Sequence, residues 1–109
     1  MIDNHNEVTE LIEKMKEVLP IDAYPTKKLC HSMQNKNDIK MKVKNLLKII
    51  DVLYLGDEGG IVCDISDKNS KEALIVSLTH LRIKNLYSFT KEIKAYQVNR
   101  IKVLGSVDI

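Results

Sequence analysis

The stretch Leu53-Tyr54-Leu55-Gly56-Asp57-Glu58-Gly59-Gly60-Ile61-Val62-Cys63 holds two β-prone apolar segments separated by five residues, three of them glycine and two acidic. Glycine supplies the positive φ that a short hairpin loop demands, so the run predicts an antiparallel hairpin turning over residues 56–60. With that loop length Leu55 faces Ile61 and Leu53 faces Cys63, which places Leu53, Leu55, Ile61, Cys63 and Ile65 on one buried face. The loop itself discloses no reaction. An acidic glycine turn serves a chain reversal, a cation or a partner's amide equally well.

Downstream, residues 67–71 read as a loop and residues 73–80 as the next strand, with Leu74, Val76 and Leu78 on one face. The same alternation carries His80 onto that face and beside the Asp57/Glu58 loop, where nearby carboxylates would raise its pKa. Asp57, Glu58, Gly59, Gly60, His80 and Arg82 therefore form the candidate partner- or ligand-binding set. A histidine beside carboxylates serves as a general base, a metal ligand or half of a plain ion pair, and the last is the simplest reading.

Upstream, Val8, Leu11, Ile12, Met15, Val18 and Leu19 recur at helical spacing, and Pro20 ends that helix. Tyr24-Pro25-Thr26 reads as the entry to a second, shorter helix over residues 25–35. Ile39-Lys40-Met41-Lys42-Val43-Lys44 alternates as an edge strand does, its lysines discouraging pairing with another chain, although Ile39, Val43, Leu46, Leu47 and Ile50 also keep helical spacing. A further strand covers residues 49–55. The final helix runs from Leu86 or Ser88 to Leu104, with Leu86, Phe89, Ile93, Tyr96, Ile101 and Leu104 as its stripe and Gly105 as the residue that ends it. The expected fold is α+β: two N-terminal helices, a three- or four-stranded antiparallel meander, and a long C-terminal helix packed on one face.

At 109 residues and 44% apolar content the chain has the size and composition of one α+β domain, residues 1–109. Its start is polar and acidic, and no apolar run approaches the roughly 20 residues of a membrane span, so a cytoplasmic protein without membrane contact is expected. Net charge is only +2, yet it comes in blocks. Residues 1–22 carry six acids and two bases, 23–48 one and seven, 49–79 six and two, and 80–109 two and six. Such blocks pair within a fold or between two copies of it, or leave a basic face for an anionic partner.

Cys30 and Cys63 are too few for a disulfide framework, and parity puts Cys63 in the core as an inert thiol. Cys30, His31, Cys63 and His80 lack the spacing of a zinc site, so no metal is expected. Phosphate-loop, Gly-x-Ser-x-Gly and His-Glu-x-x-His motifs are absent, and no cofactor is expected. For nucleic acid the candidates are Lys36, Lys40, Lys42, Lys44 and Lys48, but the five aromatic side chains form no stacking platform interleaved with them.

The Leu-Tyr-Leu-Gly-Asp-Glu-Gly-Gly-Ile run, followed by Ser77-Leu78-Thr79-His80-Leu81 and Glu92-Ile93-Lys94-Ala95-Tyr96-Gln97, resembles a family of short uncharacterised bacterial proteins over residues 50–104. The resemblance implies that the meander and final helix form one unit, and it carries no residue's role. The sequence thus favours a small cytosolic non-enzymatic interaction or regulatory module with an unknown protein partner or a second copy of itself. The alternatives are a nucleic-acid-binding accessory protein using the lysine-rich 36–48 segment, and a small hydrolase centred on His80 and the Asp57/Glu58 loop.

Overall fold

A computed structural model describes residues 5–37, 40–66 and 74–107. The order of elements is α1 (His5–Glu17), β1 (Ile21–Pro25), α2 (Lys27–Asn37), β2 (Leu47–Ile49), β3 (Asp51–Tyr54), a single helical turn α3 (Gly56–Gly59), β4 (Ile61–Asp64), β5 (Ile75–Ser77), β6 (Leu81–Ile83) and α4 (Thr90–Val107). The fold is α+β, with two three-stranded antiparallel sheets, β2-β1-β6 and β3-β4-β5. The expected meander is the second of these; the first is additional to the expected layout.

Strands β1 and β6 lie where the sequence predicts no strand, and β1 is the more informative of the two. Its residues alternate between buried Ile21, Ala23 and Pro25 and half-buried Asp22 and Tyr24, the pattern of a strand with one face on a core. Pro25 argues locally against a central strand, because proline cannot donate to a ladder. It sits at the last paired position, opposite Leu81, and the ladder resumes at Thr26, whose N–H donates to the His80 carbonyl at 3.0 Å. The Thr26 hydroxyl then accepts from the Leu29 N–H at 3.2 Å and caps α2, so the helix expected after Tyr24-Pro25-Thr26 does begin there.

Two segments switch sheets, as strands do at the corners of stacked sheets. Ile50 alone separates β2 from β3, and its N–H already donates to the Asp64 carbonyl of β4 at 2.8 Å. Between β5 and β6 the chain makes a 3-10 turn over Leu78–His80, closed by the Ser77 hydroxyl accepting from the Thr79 N–H. Strand alternation stops at that turn, so it does not carry through to His80. Residues 40–46 form no strand: Lys42 and Asn45 instead close a turn through two hydrogen bonds of 2.8 and 2.9 Å. The edge strand in this region is β2, carrying Lys48. Ile39 and residues 67–71 lie outside the described residues.

The hairpin forms with a register one residue away from expectation. Tyr54 faces Ile61, Leu53 faces Val62 and Val52 faces Cys63. The connection is therefore six residues, 55–60: its helical turn bonds the Gly60 N–H to the Gly56 carbonyl, and the Leu55 N–H bonds the Gly60 carbonyl. One additional loop residue reverses the parity of β3. Val52 is buried and Tyr54 half-buried, while Leu53 and Leu55 are 41% and 59% exposed rather than in the core. The parity of β4 stands, with Ile61, Cys63 and Ile65 buried together with Val76 and Leu78.

All three long helices contribute to one buried cluster: Val8, Leu11 and Met15 from α1, Leu29 and Met33 from α2, and Ile93 from α4, with Phe89 just before it. The α4 stripe departs from the expected one. Leu86 and Ile101 are exposed, Arg100 is buried, and Gly105 lies inside the helix instead of ending it. The Leu104 side chain lies outside the described residues. Among the described residues no helix is long and apolar enough to cross a membrane.

Candidate functional site

The expected site divides between two places. At the hairpin tip, Gly60 adopts φ +66°, and a Cβ there would collide with the Tyr96 hydroxyl and the Arg100 guanidinium of α4. The Tyr96 hydroxyl accepts from the Ile61 N–H at 2.8 Å, and Arg100 is only 2% exposed. Gly60 thus serves as the seat of α4, whereas a Cβ at Gly59 would meet only the Leu55 side chain. The side chains of Asp57 and Glu58 lie outside the described residues.

His80 belongs to the other place, at the junction of β6 with β1. Its pKa lies below the ordinary 6.5, lowered first by burial and second by the Lys28 ammonium. This direction is opposite to the rise expected beside carboxylates. Arg82, on β6, donates to the Val43 carbonyl at 2.6 Å and lies 5.6 Å over the Tyr24 ring. It clamps residues 40–46 against the sheet. Burial also pushes the Cys63 thiol up to about 12, which keeps it protonated and unreactive at neutral pH. Among the described residues no three His, Cys, Asp or Glu side chains gather as a metal would require.

The lysine candidates spread over a second groove. Lys27, His31, Lys40 and Lys42 line a shallow space of about 610 Å³ between α2 and the 40–43 segment, floored by Met41 and Val43. His31 is held by the Asn35 amide, which donates to its Nε2 at 3.0 Å. Lys44 is exposed beyond this groove, and Lys48 pairs with Asp22 across β1 and β2 at 3.3 Å. The Lys36 side chain lies outside the described residues.

The best-formed concavity, about 590 Å³, lies between α1 and α4. The α1 spacing Glu7, Val8, Glu10, Leu11, Lys14 places these side chains on one face, and α4 contributes Glu92, Ala95, Tyr96 and Asn99. Val8, Leu11, Ala95 and the Tyr96 ring make the floor apolar. The rim carries Glu7, Glu10 and Glu92 against one ammonium, Lys14, which meets Glu92 at 3.5 Å across the mouth. Sequence reasoning missed this groove because Glu7, Glu10 and Lys14 read as the solvated side of a single amphipathic helix. The legible signal was the acidic block at residues 1–22, which is concentrated on α1.

What positions the groove is the anchoring of α4. Besides Tyr96 and Arg100 at the hairpin, the Gln97 amide donates to both the Leu78 and Leu81 carbonyls at 2.7 Å and ties the helix to the 3-10 turn. An acidic rim over an apolar floor is complementary to a cationic, partly apolar surface, and among the described residues that line it no nucleophile stands paired with a base. Family models, curated proteins and solved structures yield no match to this chain.

Proposed function

We propose that the protein is a small non-enzymatic interaction module that receives a basic amphipathic helix of a protein partner in the groove between α1 and α4. The observation that carries this reading is an apolar floor of Val8, Leu11, Ala95 and Tyr96 under a rim of three carboxylates and one ammonium. A helix offering leucine-like side chains at i, i+3 and i+4 with lysines beside them complements both features. Burial of its apolar face would supply affinity, and the carboxylates would set orientation and association rate.

A titration with a lysine–leucine amphipathic helical peptide, followed by NMR, tests this. Shifts confined to Val8, Leu11, Ala95 and Tyr96, weakened in Glu7→Gln plus Glu10→Gln, are the expected outcome. Absence of binding at low salt, or shifts that map elsewhere, would reject the groove as the binding face.

A second reading rests on the other groove, where Lys27, Lys40, Lys42 and His31 gather with no carboxylate among the lining residues. It is a nucleic-acid accessory role through phosphate contacts, and its signature is a steep loss of affinity with salt. A heparin column eluted with a salt gradient separates the two: retention abolished by Lys40→Glu plus Lys42→Glu would favour the second.

A further inference from the structure

We infer that the outward strip of α4 docks this domain on the surface of an anionic phospholipid bilayer, a contact that goes beyond the groove reading and does not depend on it. The block at residues 80–109 holds six bases against two acids, and the acidic groove uses none of the six. Arg82 clamps residues 40–46 and Arg100 is buried. On α4, Lys91, Lys94, Val98 and Ile101 fall within about 80° of the helix circumference at about 100° per residue, centred about 130° from the groove face. All four are exposed, Val98 and Ile101 at 66% and 58%, and the two lysines enter no ion pair among the described residues. Glu92, the one acid in the α4 sequence, lies on the groove side and meets Lys14. The loop that leads into the same end of α4 exposes Lys84 and Leu86, the latter at 87%.

The placement of the lysines decides which anionic partner fits this strip. An acidic helix would dock along the row 91, 94, 98 and 101 as a coiled-coil seam, with both ammoniums at the dry centre of the interface, where desolvation costs most. Duplex nucleic acid would neutralise the lysines and leave Val98 and Ile101 with no apolar surface to meet. A bilayer interface satisfies both halves. The lysine stems lie along the apolar boundary while their ammoniums stay hydrated among the phosphates, and the valine and isoleucine enter the acyl edge. The strip is the outside of a single helix and lines neither groove, so it offers a convex face to a flat surface. The expectation of no membrane contact rests on the absence of a spanning run, and a peripheral strip needs none. Docked in this way, the domain keeps the α1–α4 groove turned off the bilayer and open to its partner.

Co-sedimentation of the whole chain with vesicles tests the inference, with circular dichroism to confirm that each variant folds. The parent should bind phosphatidylcholine vesicles containing about one third phosphatidylserine, ignore vesicles of phosphatidylcholine alone, and dissociate as salt rises. Lys91→Glu plus Lys94→Glu should weaken binding about tenfold or more, since each lysine near such a surface contributes several-fold. Val98→Ser plus Ile101→Ser should weaken it several-fold even at low salt, a readout that a purely electrostatic contact would not move. Lys40→Glu plus Lys42→Glu, in the basic groove, should leave it close to the parent. No binding to the anionic vesicles at low salt overturns the inference. So does binding that survives either strip variant, or binding that is lost with the Lys40 and Lys42 changes. Tighter binding to a short DNA duplex than to the vesicles, indifferent to Val98→Ser plus Ile101→Ser, overturns it in favour of a nucleic-acid face. None of these outcomes bears on the groove, because the peptide titration reads a different face of α4.

Discussion

Two grooves of nearly equal size, about 590 Å³ between α1 and α4 and about 610 Å³ between α2 and residues 40–43, carry opposite charge and are built from different materials. The acidic groove is walled by two helices, and its α4 wall is fixed by Tyr96, Gln97 and Arg100. One wall of the basic groove is irregular chain, held by the Lys42–Asn45 turn and the Arg82 clamp on Val43. A groove between packed helices keeps its shape because moving either wall breaks buried contacts, whereas a groove edged by a loop changes shape for the loss of a few exposed hydrogen bonds. Shape is therefore an asset of the acidic groove, and charge is the main asset of the basic one.

The largest break in this contrast is expected from Gly60→Ala. It combines a positive φ with collision against the Tyr96 hydroxyl and the Arg100 guanidinium, so it should displace those two side-chain ends from the hairpin and cost about 1 to 3 kcal/mol. Gly56→Ala provides the control. Its φ is +80° but open space surrounds the site, so strain alone should cost about 1 kcal/mol. Urea denaturation checks both, and equal losses would show that α4 does not rest on the hairpin.

The two cysteines report on the two regions next. Cys63→Ser should cost about 1 to 3 kcal/mol, since a hydroxyl there would lose water without gaining a partner. Native thiol labelling should modify half-buried Cys30, on the basic groove, and spare Cys63 until unfolding. Labelling of both at one rate would contradict the burial of β4.

His80 then gives the basic side a pH dependence. Its folded pKa lies below 6.5, so the unfolded chain binds more protons just under that value. The resulting stability is fully present above pH 6.5 and is lost as pH falls from there through the folded pKa. Lys28→Met should raise the imidazole pKa part of the way back, and an NMR titration would show it. An unchanged value would remove Lys28 as a cause.

The smallest effect on stability belongs to Lys14→Met. Both partners of the Lys14–Glu92 pair are half exposed, so its loss should cost less than about 1 kcal/mol. Peptide affinity at the acidic groove should nonetheless rise, because the Lys14 ammonium among its carboxylates is gone. Weakened binding would mean that Lys14 holds the groove open rather than opposing its charge.

Much of this molecule follows from local sequence. Periods of 3.6 and 2 are properties of a segment alone, so α1, α2, α4 and the core face of β4 could be read directly, as could the burial of Cys63 and the need for glycine at the hairpin tip. Tertiary structure decided the rest. The parity of β3 depended on one extra residue in the hairpin connection, Leu55, a difference no propensity encodes yet one that exchanged Leu53 for Val52 in the core. Strand β1 exists because residues 21–25 find partners at 47–49 and 81–83, far away in sequence, and those pairings override the proline that argued against a strand. The acidic groove is equally non-local. Helix α1 supplies half of it and α4 the other half, and only the packing that seats Tyr96 and Arg100 on the hairpin brings the two acidic edges across an apolar floor.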